Sequence, residues 1–133
     1  MRIVLDANVV VAAFAARGLC ESILELCLDS HNIILSEHLL REIHKNLLKK
    51  VKLPKKGADE IVALLRENAT IVKPTPLPAK SCRDPDDVNV LGAAVAADAD
   101  LIVTGDKDLL VLKRFRLILI LSPRQFSEFV HEK

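Results

Sequence analysis

The sequence predicts an α/β fold, a three-layer α/β/α sandwich around a mainly parallel sheet. Three observations carry the prediction. Short apolar runs at 2–5, 32–35, 70–72, 100–104 and 117–121 are separated by stretches whose apolar residues recur at helical spacing. The runs are nearly continuous rather than alternating, which is what strands covered on both faces require. Half of the 133 residues are apolar, with only four Gly and six Pro, so one domain over residues 1–133 has enough apolar surface for a single core.

Taken in order, Arg2 to Leu5 is a β-branched run that ends at Asp6 and reads as a buried strand. A helix follows through Ala16, broken at Gly18. The next helix runs from about Leu19 to Leu28 with Ile23, Leu24, Cys27 and Leu28 on one face. Asn32 to Leu35 is a second strand, after which Ser36 is suited to cap a helix carrying Leu39, Leu40, Ile43, Leu47 and Val51. Pro54 ends that helix. Another spans about Ala58 to Asn68, and Thr70 to Val72 forms a short strand. Prolines 74, 76 and 78 favour an extended crossing within the domain. The remainder reads as a helix from Pro85 to Ala97, a strand from Asp100 to Thr104, a helical turn at Lys107 to Leu110, a strand at Leu117 to Leu121 and a last helix from Pro123.

Composition excludes several classes. The longest stretches without charge are the ten residues 7–16 and the ten residues 88–97, far short of the roughly 20 that span a bilayer. Asp6 interrupts the first apolar run where a secretory signal would stay apolar, so a cytoplasmic protein is expected. Cys20, Cys27 and Cys82 form no C-x-x-C pair and read as small buried hydrophobes. Net charge is +1, but it is segregated along the chain. Residues 41–56 carry Arg41, Lys45, Lys49, Lys50, Lys52, Lys55 and Lys56 against the single acid Glu42, whereas 84–87 hold three aspartates. With neither Trp nor Tyr, a nucleic-acid interface here would rest on phosphate contacts more than on stacking.

The acids fall where ligands collect in open parallel sheets, beyond the carboxyl ends of the strands. Asp6 follows the first strand, with Asn8 placed to hold it, and it also suits a helix N-cap. In Arg83-Asp84-Pro85-Asp86-Asp87, Asp84 suits the cap and Pro85 the first helical position. Asp87 lies in line with Val90, Leu91 and Ala94, the face that packs on the sheet, and a carboxylate there needs a partner. Asp86, about 100° around the helix, reads as solvated. Thr104-Gly105-Asp106-Lys107-Asp108 repeats the strand-end arrangement, with a tight turn and cap as its plain reading. Carboxylates converging on one sheet edge repel unless a cation neutralises them. Oxygen donors without a His-Cys pattern suit Mg²⁺ or Mn²⁺. Glu37 and Glu42 both flank the apolar stripe of their helix, and periodicity does not choose between them.

Four segments together resemble the PIN-domain nucleases: Leu5-Asp6-Ala7-Asn8-Val9-Val10, Ser36-Glu37-His38-Leu39-Leu40-Arg41-Glu42-Ile43, Arg83-Asp84-Pro85-Asp86-Asp87 and Val103-Thr104-Gly105-Asp106-Lys107-Asp108-Leu109. Within that family they are most similar to the VapC-like toxin components of toxin–antitoxin modules. The resemblance covers nearly the whole chain. It implies a PIN-like fold and an acidic metal centre of Asp6, Glu42, Asp87 and Asp106, supported by Asn8 and Thr104. It selects Glu42 over Glu37, and leaves Asp84 or Asp86 able to assist if the helix starts differently. Val88 departs from the branch, which often continues the acid run. The implied activity is a Mg²⁺- or Mn²⁺-dependent endoribonuclease that leaves a 5′-phosphate and a 3′-hydroxyl. RNA as substrate, a small cognate antitoxin and a homodimer are the implied partners, with no membrane.

Arg83 and Lys107, beside the acids, are placed to touch a scissile phosphate. Lys45, Lys49, Lys50 and Lys52 extend from the Glu42 helix as a cationic rim, or as a solvated helix end that suits the macrodipole. Two alternatives are a PIN-like module that binds RNA or protein without cutting and a phosphoacceptor receiver-type domain. The receiver would want adjacent acids after the first strand, where Asp6 stands alone.

Overall fold

The computed structural model describes residues 1–131. Its elements are β1 (Arg2–Leu5), α1 (Ala7–Ala15), α2 (Leu19–Ser30), β2 (Asn32–Leu35), α3 (Glu37–Lys49), α4 (Lys55–Asn68), β3 (Ala69–Ile71), α5 (Pro85–Ala96), β4 (Leu101–Val103), α6 (Lys107–Leu110), β5 (Arg114–Phe115), β6 (Ile118–Leu121) and α7 (Pro123–His131). A single-turn 3₁₀ helix occupies Ala79–Ser81. The strands form one sheet in the order β3-β2-β1-β4-β6-β5, parallel throughout except that β5 runs antiparallel to β6. Helices cover it as the outer layers of the sandwich.

The sheet centre is fully apolar because it is covered on both faces. Ile3, Val4, Leu5, Ile33, Ile34, Leu35, Leu101, Ile102 and Val103 are all buried. In register, Ile3 pairs with Ile33 on one side and with Leu101 on the other. The chain leaves β1 outward through β2 and β3, then returns to build β4 and β6 on the opposite side. The topological switch point therefore lies between β1 and β4, and their carboxyl ends open the crevice in which such sheets bind ligands. The backbone N–H of Asp6 donates to Val103 O at 3.0 Å, tying the two ends together.

The proline-rich crossing, 73–78, lies over α5. Thr75 N donates to Gly92 O at 3.0 Å, and a Cβ on Gly92 would stand 2.5 Å from Thr75 O. Only glycine permits that approach. Ser36, fully buried, caps α3 by accepting from Leu39 N at 3.2 Å.

Several boundaries differ from the sequence expectation. α4 begins at Lys55 rather than Ala58, because its first turn, Lys55, Lys56 and Gly57, carries no large apolar side chain to mark it. β3 starts at Ala69, and α2 continues to Ser30. The expected strand 117–121 begins at Ile118, with Leu117 almost wholly exposed in a tight hairpin to β5, a strand the sequence reading lacks. That hairpin turns through Arg116 at φ +56°, a left-handed residue without a Gly or Asn signal. Cys27 and Cys82 are buried as expected, whereas Cys20 is half-buried at the margin of the core.

Candidate metal centre

Asp6 leaves β1 at the switch point and is 6% exposed. Its Oδ1 accepts from Ala7 N at 2.8 Å, and its Oδ2 accepts from the Thr104 hydroxyl at 2.7 Å and from Asn8 Nδ2 at 3.4 Å. Thr104, fully buried at the end of β4, also accepts from Asp106 N at 3.0 Å. Asn8 Oδ1 accepts from Gly105 N at 3.2 Å. Asn8 and Thr104 thus bridge the two strand ends and fix Asp6 in one orientation. Burial pushes the Asp6 carboxyl above its ordinary value, opposed by the Thr104 bond.

Asp84, Asp87 and Asp106 converge beside it. One carboxylate oxygen from each lies within 4.8 Å of the others. Asp84 caps α5 through Oδ1, accepting from Asp86 N at 2.9 Å, and Asp106 caps α6 through Oδ1, accepting from Asp108 N at 2.8 Å. The capping and clustering readings are therefore both true, since capping uses one oxygen of each carboxylate. Asp87 projects from the packed face of α5 and is 4% exposed. Burial, then the charge and hydrogen bond of Asp106, then Asp6 and Asp84, push its carboxyl up to about 8. The Cys82 thiol lies 3.9 Å from Asp87 Oδ2 and donates to Asp108 O at 3.4 Å. Among the described residues no Lys or Arg forms an ion pair with Asp6, Asp84, Asp87 or Asp106.

Glu42 stands apart from that cluster. Its Oε1 lies 3.0 Å from His38 Nε2, and Asp86 Oδ1 lies 3.2 Å from the same nitrogen. These three ligand atoms also fall within 4.8 Å of one another, a second cluster alongside the first. Desolvation and the charge of Asp86 raise the Glu42 carboxyl, and Asp6 raises it further, so the two clusters feel each other. Glu37 is drawn outward instead, its carboxylate accepting from both terminal guanidinium nitrogens, Nη1 and Nη2, of Arg66 from α4.

Of the residues the sequence singled out, Asp87 and Asp106 are together, Asp6 adjoins them, and Glu42 lies across His38. Asp84 joins the tight cluster although α5 starts at Pro85 as expected, so no shift of the helix start is needed to bring it in. Asp86 is exposed as expected, yet contacts His38 rather than water alone. Sequence reasoning did not single out His38; its i, i+4 spacing to Glu42 was the available signal. It also did not anticipate the approach of Cys82 to Asp87, which long-range folding alone creates. Arg83 and Lys107 are exposed at the rim, immediately beside Asp84 and Asp106. Lys45, Lys49, Lys50 and Lys52 are exposed along α3 and the turn after it. Lys45 and Lys49, three and seven residues beyond Glu42, share its side of the helix.

A model of the PIN domain family matches residues 2–108. No curated protein matches the chain. Among solved structures, VapBC2 from Rickettsia felis, bound to a DNA fragment from their promoter, is similar with a TM-score of 0.63 at 18% identity, over 92% of this chain and 98% of that one. VapBC-1 from nontypeable Haemophilus influenzae is similar with a TM-score of 0.62 at 14% identity, over 93% of this chain and 99% of that one. At these identities the likeness is one of fold.

Proposed function

The chain belongs to the PIN domain family, and from that premise we propose that it is a Mg²⁺- or Mn²⁺-dependent endoribonuclease, the toxin of a toxin–antitoxin module. The observation that carries the proposal is the convergence of Asp84, Asp87 and Asp106 within 4.8 Å beside buried Asp6, with no Lys or Arg in an ion pair with them among the described residues. Such a cluster is costly unless a cation compensates it. The donors are all oxygen, which fits a hard divalent ion. The membership of the family and the strand order leave the receiver-type alternative without support, and the chain keeps all four acids, of which a non-cutting relative would be expected to lose one or more.

Asp84, Asp87 and Asp106 would hold the ion from the α5 and α6 starts beside Asp6 at the end of β1, with Glu42, the fourth acid that the resemblance implies, standing against His38 on α3. A bound Mg²⁺ or Mn²⁺ supplies acidification of a water and stabilisation of charge on the transferred phosphoryl group. The protein's own residues do the rest. Thr104, Asn8 and Ala7 N occupy the oxygens of Asp6 and make it a rigid ligand. With both Asp6 oxygens engaged by hydrogen bonds, Asp106 is the carboxylate we assign to orienting the attacking water. Arg83 and Lys107 flank the cluster and supply positive charge where the phosphate oxygens gain negative charge. Lys45 and Lys49 continue from Glu42 along α3 and serve as a track for the RNA backbone, with Lys50 and Lys52 following.

The family resemblance and the VapBC-like fold support a small antitoxin and a homodimer as partners, with action in the cytoplasm as part of the same proposal. No described helix is long and apolar enough to cross a membrane. Incubation of the protein with end-labelled RNA and Mg²⁺ or Mn²⁺ should give internal cuts that EDTA abolishes. Equal cutting in chelator would overturn the metal mechanism, and no cutting with either ion would overturn the nuclease.

A further inference from the structure

Next to the acidic clusters lies a cleft of about 400 Å³, bounded by the start of α3, the chain leaving β3 and the exposed side of α5. That volume is at the lower end of small-ligand sites, about 300–1,000 Å³. Its polar lining is His38, Arg41, Lys73 and Asn89, and its apolar wall is formed by Val72 and Pro74. Glu37 also borders it, but Arg66 already holds that carboxylate. Neither Arg41 nor Lys73 is in an ion pair among the described residues. The cleft is therefore cationic next to an anionic centre.

A second observation concerns hydrogen bonding. Among the described residues the buried Asn89 Oδ1 lacks a hydrogen-bond partner, and Asn89 lines this cleft. An unsatisfied buried carboxamide oxygen is costly, and native proteins keep few of them. Asn89 borders the cleft, and a ligand edge with donors and acceptors would satisfy its carboxamide once the terminal torsion turns toward it. His38 joins the cleft to the catalytic side, its Nε2 lying 3.0 Å from Glu42 and 3.2 Å from Asp86 as charge neighbours.

We propose that this cleft is a nucleotide subsite which selects the base next to the scissile phosphate. This rests on the nuclease reading above. Arg41 and Lys73 hold the flanking phosphates, Val72 and Pro74 pack against the base or ribose, and the Asn89 amide reads the base edge. The ligand class follows from the combination: an anion for the two cations, an apolar flat body for the wall, and a polar edge for the carboxamide. One nucleotide fits the volume. A folded duplex does not, so the strand entering the cleft is single-stranded, with its base splayed out as sequence-specific RNA recognition requires.

The test uses the full chain and a pool of end-labelled RNA oligonucleotides of random sequence, cut with Mn²⁺ and sequenced at the cut ends. Wild-type protein should prefer particular bases at one position adjoining the cut. Asn89→Ala should relax that preference by about fivefold or more while cutting continues, since a good amide-to-base contact discriminates by at least that much. Asn89→Asp, which keeps the shape but loses the donors, is read in parallel in case the alanine variant folds poorly. RNA binding is then measured by fluorescence anisotropy in an Asp106→Asn background, where the pool is not consumed. There, Arg41→Gln and Lys73→Gln should each reduce the slope of log K against log salt by about 0.7. An unchanged base profile in both Asn89 variants, or unchanged slopes in both cation variants, with RNA still cut, would overturn the subsite and leave the nuclease standing. Failure of the wild type to cut the pool at all would overturn both.

Discussion

Asp87 sits in an environment far from that of the free amino acid. Its carboxyl titrates near 3.8 in an unfolded chain and near 8 in the fold, because burial and the neighbouring carboxylates oppose its ionisation. Between those pH values the unfolded chain has released a proton that the folded chain still holds. Raising the pH therefore works against the fold, and the contribution of this group to stability declines from about pH 4 to about pH 8. Asp6 and Glu42 are shifted in the same direction and add to the slope. Thermal unfolding without divalent ions should show Tm falling across that window. Asp87→Asn should raise Tm at pH 8 by about 3–6 °C, the shift that about 1 kcal/mol gives in a domain of this size. Millimolar Mn²⁺ should flatten the pH slope of the wild type. A Tm that rises with pH in the ion-free protein, or a loss of stability in Asp87→Asn, would mean that Asp87 serves the fold as a charged group.

At the level of elements, the crossing segment packs directly on α5, the helix whose start carries acids of the site. Gly92 sits under Thr75, and a methyl group there would meet Thr75 O at 2.5 Å. Backbone must move to relieve it. Gly92→Ala should cost about 1–3 kcal/mol, as overpacking does in well-packed cores, measured as a lower midpoint in urea unfolding. An unchanged midpoint would show the crossing to be free to shift. The helices and central strands were legible in the sequence because their apolar residues follow the 3.6 period or form short continuous runs. The β5–β6 hairpin was not, since two-residue strands have no periodicity and Arg116 turns the chain without a glycine. The acids were legible as strand-end and helix-start residues. Their exact grouping was not, because caps and ligands use the same residue types. Glu37 is drawn outward by Arg66 from α4, a contact no local pattern shows, and Asp84 meets Asp106 only because the fold brings the starts of α5 and α6 together.

Over the whole molecule, charge is arranged more than it is accumulated. Net charge is +1, yet an anionic centre at the switch point is bordered by Arg83 and Lys107 and continued along α3 by Lys45, Lys49, Lys50 and Lys52. If these lysines form the RNA track, a Lys49, Lys50 and Lys52 triple glutamine variant should bind RNA with a shallower salt dependence, by about 0.7 in slope for each phosphate that is no longer neutralised. Cleavage at saturating RNA should stay close to wild type, because uniform binding leaves the chemical step alone. Superimposable salt titrations would make the segment a solvated helix end and move the track to Arg83, Lys107, Lys113 and Arg114. The most direct measurement of the whole arrangement compares wild type and Asp106→Asn on one end-labelled RNA, with Mn²⁺ and with EDTA. Asparagine preserves the Oδ1 acceptor that caps α6, so folding should persist while activity falls by at least about a hundredfold, the scale of losing one electrostatic or acid–base contributor. The expected result is cutting by the wild type with Mn²⁺ alone, and loss of it in the folded variant and in EDTA. Wild-type cutting that survives either change would show that the carboxylate cluster is not where the RNA is cleaved.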